Sequence, residues 1–497
     1  MKDIVLATIN ARYTHSSIAL RYLYANLKAL KGSAVIQEYD ISDNPQQIAE
    51  QILALKPKLV CMGIYIWNAR ESQAVIEIIK KVCPEIFIIL GGPEVSYQPF
   101  RVDFGKADYI IQGEGEITLY NLAVQLLNNH KPPNRIFNPK AVDLELIELP
   151  YAYYTDEDIK NRIIYVEASR GCAFNCEFCL SSIDKQVRSF NLDKILAELD
   201  KLWERGCCSF KFVDRTFNLD IKVTNRILDF FLAKQMPYFV HFEVIPENFP
   251  EEFKQRIKQF PPQALQLEVG IQTLNPQVAN NIKRNLDMEK IKQNLIFLET
   301  LTNAHLHVDL IVGLPGQTIE SFANDLNQLV SIMSSKIQLG VLKKLSGTTI
   351  SRHDQIHGMV YSDLPPYDIL KNDLISYEQM QKLKRMARFW EITYNGNNFS
   401  QSVKLLWPDG DVFKGFFGFC EWVYNQTQST YQISLNRLAE LLFMYIIKLE
   451  PRTDKEKTEL ANLMVADILK RKLRKIPGFL RDYASDIPII KKSSYGV

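Results

Sequence analysis

This 497-residue sequence predicts an α/β protein of parallel sheets whose last part is mostly helical. Two alternations and one break carry that prediction. Short apolar runs alternate with amphipathic stretches through the first ~130 residues, and the same alternation returns from Ile163 to Leu342. After Pro365-Pro366 the pattern turns helical and aromatic. Strands that alternate with helices call for parallel sheets, because a parallel connection needs a long crossover.

In the first segment the predicted strands are Ile4–Thr8, Ala34–Tyr39, Leu59–Ile66, Ile86–Leu90 and Tyr109–Ile111, with helical stretches such as Ile18–Leu30 and Gln46–Leu55 between them. This is the pattern of a doubly wound, flavodoxin-like (Rossmann-like) domain over residues 1–130, and such sheets bind ligands at the carboxyl ends of their strands. Glycines stand there: Gly91-Gly92-Pro93-Glu94 after the fourth run and Gly113-Glu114-Gly115-Glu116 after the fifth. Pro132, Pro133, Pro139 and Pro150 punctuate a linker over 131–160. Strands are then predicted at Ile163–Ala168, Ser209–Asp214, Tyr238–Ile245, Leu265–Ile271, His305–Val312 and Ile337–Leu342, with helices such as Leu192–Arg205 and Ile319–Met333. Six β/α units over 161–350 make a partial, TIM-like (β/α)6 barrel, since a full one needs eight. Residues 360–497 read as a mostly helical domain.

Hydrophobic residues at 46% and charged residues at 23% are globular composition and exclude a disordered chain. A net charge of +2 gives no argument for nucleic acid or an anionic membrane as partner. The longest apolar run, Leu441–Ile447, is far short of the ~20 residues that cross a bilayer. Met1-Lys2-Asp3 leads straight into a strand-like run, so no signal peptide is expected and the expected location is cytoplasmic. Eight cysteines do not make a disulfide framework in a chain this long, and bunched cysteines in a reducing compartment point to metal or catalysis.

Three are bunched: Cys172, Cys176 and Cys179, directly after the first barrel strand in the frame Ser169-Arg170-Gly171. Soft sulfur selects zinc or an iron–sulfur cluster. A structural zinc site recruits a fourth ligand, and the remaining cysteines (Cys61, Cys83, Cys207, Cys208 and Cys420) lie elsewhere in sequence. Cys-x3-Cys-x2-Cys with Phe178 before the last cysteine resembles the radical S-adenosylmethionine (SAM) superfamily. The resemblance implies a 4Fe–4S cluster on these three thiolates, with one iron open for SAM, and an external electron donor such as flavodoxin or ferredoxin. Asp309 to Gln317 (DLIVGLPGQ) and Gly270-Ile271-Gln272-Thr273 resemble two further strand signatures of these enzymes, and Phe242-Glu243 a third. By that resemblance Phe178, Glu243, Gln272, Arg284 and Asp309 hold SAM; Asp214, at the end of the second barrel strand, is a further candidate by its position. Residue chemistry agrees: a zwitterion bearing a ribose needs carboxylates for its hydroxyls and ammonium, and a guanidinium for its carboxylate.

Ahead of such a barrel, a flavodoxin-like domain with glycines at its strand ends resembles a cobalamin-binding domain. Asn10, Ser17, Gly91, Gly92, Pro93, Glu94, Gly113, Glu114, Gly115 and Glu116 are its candidate cobalamin contacts. Glycine there lets backbone N–H groups approach a phosphate or a bulky ring. A nucleotide reading needs Gly-x-Gly-x-x-Gly after the first strand, where the chain has Asn10-Ala11-Arg12-Tyr13. His15 lacks the Asp and Gly companions of an axial histidine, since Tyr13 and Ile18 stand in their places; a hydrogen-bonding loop histidine is expected.

The expected function is therefore a cobalamin-dependent radical SAM enzyme, a methyltransferase acting on an unactivated carbon of a small-molecule substrate. A cyclase or rearrangement enzyme of the same architecture is the alternative. A methylthiotransferase would need three further N-terminal cysteines, where only Cys61 and Cys83 lie, and a non-catalytic cobalamin or redox sensor would need no Arg284. The aromatic and glycine-rich stretch 399–424 is expected to be core or a cavity wall, and the basic run 470–475 a solvated helix face. The last segment resembles an uncharacterised domain found on cobalamin-dependent radical SAM proteins, which implies no activity.

Overall fold

The protein is described by a computed structural model covering residues 2–284, 287–470 and 474–485. Its strands and helices run β1 (Ile4–Asn10), α1 (Ile18–Ala25), β2 (Ala34–Asp40), α2 (Pro45–Ala54), β3 (Leu59–Gly63), α3 (Ala69–Val82), β4 (Phe87–Gly91), β5 (Tyr109–Ile111), α4 (Glu116–Leu127) and β6 (Ile136–Phe137). After α5 (Asp156–Asn161) come β7 (Ile164–Val166), β8 (Ser169–Arg170), β9 (Arg188–Ser189), α6 (Leu192–Glu204), β10 (Ser209–Phe212), α7 (Ile221–Leu232), β11 (Phe239–Val244), α8 (Glu251–Gln259) and β12 (Leu265–Gln272). The chain continues through α9 (Pro276–Asn281), α10 (Met288–Leu301), β13 (His305–Val312), α11 (Ile319–Ile332) and β14 (Lys336–Val341) to α12 (Tyr377–Trp390), α13 (Val412–Thr427), α14 (Leu435–Leu449) and α15 (Asp454–Leu469).

These elements fall into two compact units, one of residues 1–270, 280–306 and 343–369, the other of residues 271–279, 307–342 and 370–497. In the first unit a parallel sheet has the order β2-β1-β3-β4-β5-β6. Every residue of β1 is buried, as a central strand with both faces covered requires. Ile4 pairs with Ala34 on one side and Leu59 on the other, so the strand order reverses beside β1 and a crevice opens at the carboxyl ends. The expected linker departs from expectation at both ends. Ile136–Phe137 adds an edge strand to β5, and α5 is a helix started by a Thr155–Asp158 capping box. Alternation is too short to register in either piece.

Residues 151–162 are also tied to the sheet by buried charge. Arg21 lies 2.8 Å from both Glu38 and Asp158, Arg162 lies 3.0 Å from Glu38, and the Arg21 guanidinium stacks over Tyr154. Such a network is satisfied only when all its members are present, so it fixes the linker in place. The unit's other sheet runs β12-β11-β10-β7, all parallel.

In the second unit β13 and β14 pair in parallel, in register from His307 with Lys336 to Val312 with Val341. The aromatic stretch is core: Phe413, Phe416, Phe419 and Cys420 of α13 are buried, and Phe416 meets Trp390 edge-on at 4.9 Å. Trp390 also donates its indole N–H to Ile337 O at 2.9 Å, anchoring α12 to β14. Of the basic run, residues 471–473 lie outside the described residues. Among the described residues no helix is long and apolar enough to cross a membrane.

Candidate functional site

The cysteine loop follows β7 and the two-residue β8, at the carboxyl end of a parallel strand, where an α/β barrel keeps its chemistry. Gly171 begins it at φ +92°, against the backbone of Gln186, in a place no Cβ could occupy. Cys172 N donates to Asp184 O at 3.0 Å, and Ser182 Oγ donates to the carbonyls of Cys176 and Cys179 at 2.8 and 2.7 Å. Cys172 and Cys176 are buried and Cys179 is half-buried. Burial and the neighbouring thiols push the Cys172 thiol up.

Among the described residues no three His, Cys, Asp or Glu side chains converge as ligands of a single ion. A cuboidal cluster asks for something else, one thiolate per iron, spread around a body several ångströms across. Three thiols on one tightly hydrogen-bonded loop suit that demand.

Arg284 comes to this loop. Its Nη1 lies 3.8 Å from Cys176 Sγ, its Nη2 donates to Gly270 O, and its Nε is buried with no hydrogen-bond partner among the described residues. An unmatched guanidinium donor beside the cysteines is the kind of group that a ligand carboxylate would satisfy. Glu177, inside the motif, is 1% exposed and its N–H donates to Ile282 O at 3.2 Å, which docks the loop on the segment carrying Arg284.

The other predicted SAM contacts fare differently. Glu243 stands in β11 and accepts from Arg215 Nη1 at 3.2 and 3.3 Å. Phe178 is half-buried in the loop. Asp214 is buried, accepting from Ala168 N at 3.0 Å and Ser169 Oγ at 2.5 Å, and burial pushes it up to about 6. Both oxygens are therefore spent on the segment that leads into the cysteines, one on the Ala168 backbone and one on the Ser169 hydroxyl. Gln272, at φ +70° at the end of β12, and Asp309, in β13, belong to the second unit. There Gln317 accepts from Gly313 N at 2.7 Å and donates to Ile311 O at 3.0 Å, closing the turn of the DLIVGLPGQ segment.

At the carboxyl ends of β3, β4 and β5 lies a cavity of about 470 Å³, within the range of small-molecule and cofactor sites. Gly91, Gly92, Pro93 and the Gly113–Glu116 loop line one side; Glu167, Arg170, Leu180, Ser181 and Arg215, flanking the cysteines, line the other. Gly92 sits at φ +106°, where a Cβ would come within 2.5 Å of Ile64 O. Its glycine thus serves close packing of the loop on β3's continuation. At Gly113, φ is +73° and nothing lies within 4 Å of a Cβ position. Ser96 joins the two glycine loops, donating to Gly92 O at 2.8 Å and accepting from Gly113 N at 3.1 Å.

Glu114 and Glu116 reach across to the cysteine side. Arg170 lies 2.7 Å from Glu116, 3.0 Å from Glu167 and 3.5 Å from Glu114, while Arg188 lies 2.5 Å from Glu114. Against the pull of burial, Arg188 holds Glu114 below the usual carboxylate range; burial pushes Glu167 up to about 7. Asn10, Ser17 and Glu94 are not among the residues that line the cavity. Asn10 donates to His15 O and Glu38, Ser17 caps α1, and Glu94 accepts from Tyr367 Oη. His15 is also absent from the lining; its Nδ1 lies 2.5 Å from Tyr165 Oη, and burial lowers its pKa.

Comparison with known proteins follows this geometry. Residues 4–123 match the family described as B12 binding domain, residues 166–329 the Radical SAM superfamily, and residues 355–492 a protein family of unknown function, DUF4080. A 2-(S-pantetheinyl)-carbapenam-3-carboxylate methyltransferase of Streptantibioticus cattleyicolor is 22% identical over 58% of this chain and 46% of its own, so the chain spans under half of that relative's length. The radical SAM methyltransferase TsrM of Kitasatospora setae, solved with cobalamin and a [4Fe-4S] cluster, superposes with a TM-score of 0.58 at 16% identity over 76% of this chain and 80% of that one. The cobalamin-dependent SAM radical enzyme OxsB, solved with aqua-cobalamin and SAM, does so with a TM-score of 0.63 at 14% identity over 94% and 79%. The chain thus carries a segment that matches the B12 binding domain ahead of one that matches the Radical SAM superfamily.

Proposed function

We propose that this protein is a methyltransferase that cleaves SAM at a 4Fe–4S cluster and methylates an unactivated carbon of a small-molecule substrate, drawing electrons from a flavodoxin- or ferredoxin-like donor. The observation that carries the reading is the cavity that joins the strand-end glycines to the flank of the cysteine loop within one compact unit. Both groups fit the residues present. The glycine loops leave open space at Gly113, and the cysteine loop offers three thiols beside an unmatched arginine donor. When bound, the cluster supplies the electron that cleaves SAM to a 5′-deoxyadenosyl radical, and cobalamin supplies the methyl group.

The chain's own residues do the placing. Cys172, Cys176 and Cys179 would hold the cluster, and Arg284 would take the SAM carboxylate, with Phe178, Glu243, Gln272 and Asp309 as further SAM contacts. Gly91, Gly92, Pro93, Gly113 and Gly115 would meet cobalamin. Asp214 orients the strand that leads into the cysteines, and Arg170 holds Glu114 and Glu116 toward that side. Orientation of this kind governs rate when reactants are carried by separate groups.

The test is anaerobic incubation with methyl-labelled SAM and a metabolite extract. Transfer of label to carbon of a small molecule supports the reading; release of 5′-deoxyadenosine with an unlabelled, cyclised or rearranged product favours the alternative chemistry.

A further inference from the structure

The segment Lys343–Ile369 belongs to the same unit as the cavity, although the second unit's residues 307–342 separate it from the rest in sequence. It ends in a buried tyrosine: Tyr367, 0% exposed, donates its hydroxyl to Glu94, with the Arg101 guanidinium 4.3 Å from its ring. Glu94 closes the Gly91-Gly92-Pro93-Glu94 turn. Farther up the segment, Gly347 lies flat against the ring of Tyr97, which lines the cavity. A second anchor grips the cysteine loop. Arg352 Nε and His353 Nε2 lie 2.6 and 2.8 Å from Glu177 Oε2, and Lys283 Nζ lies 3.0 Å from Oε1. Arg352 also reaches Asn281 O at 3.4 Å.

The two anchors are stiffened against each other. Lys344 N donates to Tyr367 O at 3.1 Å, and Lys344 Nζ pairs with Asp354, the residue after His353. One lysine therefore binds the segment's cobalamin-side end to its cluster-side end.

We propose that residues 343–369 are a strap that sets the glycine loop and the cysteine loop in register, with Tyr367, Arg352 and His353 as its positioning residues. The cost structure supports this. Glu94 and Glu177 are buried carboxylates whose partners come mostly from the strap, and a buried acid that loses its partner is strongly penalised. Neither loop can shift without breaking such a pair. The DUF4080 match begins at residue 355, so Tyr367 falls inside it while Arg352 and His353 precede it, and the opening of that match gains a task. That task rests on the proposed function for its chemical consequence, the spacing of cobalt and cluster. The strap itself is tested without it.

Hydrogen exchange is read on the full chain in peptides covering residues 92–97 and 172–182, for wild type, Tyr367→Phe and Arg352→Gln. Each substitution is expected to speed exchange about tenfold in both peptides, the near and the far, and to lower the melting temperature, while peptides away from the two loops and the strap keep their relative protection. Arg352→Lys should restore part of the protection. Loosening confined to the nearer loop, or absent from both, overturns the strap. Should Tyr367→Phe not fold, Arg352→Gln poses the same question from the other end, at a side chain that is half exposed. On protein reconstituted with hydroxocobalamin, iron and sulfide, the dipolar distance between Co(II) and the reduced cluster should be single and narrow in wild type and broadened in both variants. Unaltered distributions contradict the register claim. Wild type that retains no cobalamin contradicts the proposed function instead, and the exchange result still decides the strap.

Discussion

Arg284→Ala should weaken SAM binding by roughly 10- to 150-fold while leaving the cluster's iron in place. The magnitude follows from what the side chain is free to do. One guanidinium edge is committed, with Nη2 donating to Gly270 O and Nη1 3.8 Å from Cys176 Sγ, but Nε is buried with no partner among the described residues. A charge-assisted hydrogen bond to a ligand carboxylate contributes ~1.5–3 kcal/mol, and each 1.4 kcal/mol is tenfold in affinity. Arg284→Lys should recover only part of the loss, because an ammonium cannot reproduce the fork. The assay is anaerobic equilibrium binding of SAM to reconstituted protein, with iron counted in the same samples. Wild-type affinity in both variants would show that the arginine serves only the Gly270 and Cys176 contacts.

Gly92→Ala should lose cobalamin and soften the loop, by ~1–3 kcal/mol for a non-glycine residue forced to φ +106° against Ile64, whereas Gly32→Ala, away from the cavity and with nothing within 4 Å of its Cβ position, should retain it; cobalamin retained equally by both variants would contradict the packing argument. His15→Ala should leave the Co(II) paramagnetic resonance spectrum unchanged, since His15 is not among the residues that line the cavity, and nitrogen splitting that vanishes with His15 would overturn this. Glu167 titrates near 7 when folded against an ordinary 4.5, so the folded state binds the extra proton between those values. Its contribution to stability is present in full below pH ~4.5 and is lost as pH rises through ~7. Glu167→Gln should flatten the melting temperature against pH across that window, and an unchanged slope would refute it.

Local pattern was enough for most of what the fold does. The strands β1 to β5 and β7, the helices between them, the cysteine loop and the strand-end glycines are short-range features, written in alternation, in Cys-x3-Cys-x2-Cys and in Gly-Gly-Pro. What escaped was long-range. Nothing near Asp214 signals that its carboxylate holds Ala168 and Ser169, and nothing near Glu94 names Tyr367, 273 positions away, as its partner. Ser96, Glu167 and Arg170 sit at the cavity by virtue of strand order, and Glu177 is one acid among many until Arg352 and His353 meet it. The sequence pattern puts Gly92 close to a bound ring or phosphate, whereas the group its Cβ would meet in the structure is the chain's own Ile64. Edge strand β6 was hidden because two residues carry no period.

The central claim is cluster-dependent cleavage of SAM by a cobalamin-loaded protein, and one comparison tests it most directly. Wild type and the Cys172→Ala/Cys176→Ala/Cys179→Ala variant are reconstituted anaerobically with iron, sulfide and hydroxocobalamin, reduced, and given SAM; iron, cobalt and 5′-deoxyadenosine are then measured together. Wild type should hold one 4Fe–4S cluster and one cobalamin and release 5′-deoxyadenosine. The triple variant should keep its cobalamin, lose its cluster iron and release none. Iron and 5′-deoxyadenosine in the triple variant equal to wild type, or wild type that cleaves no SAM, would contradict the account.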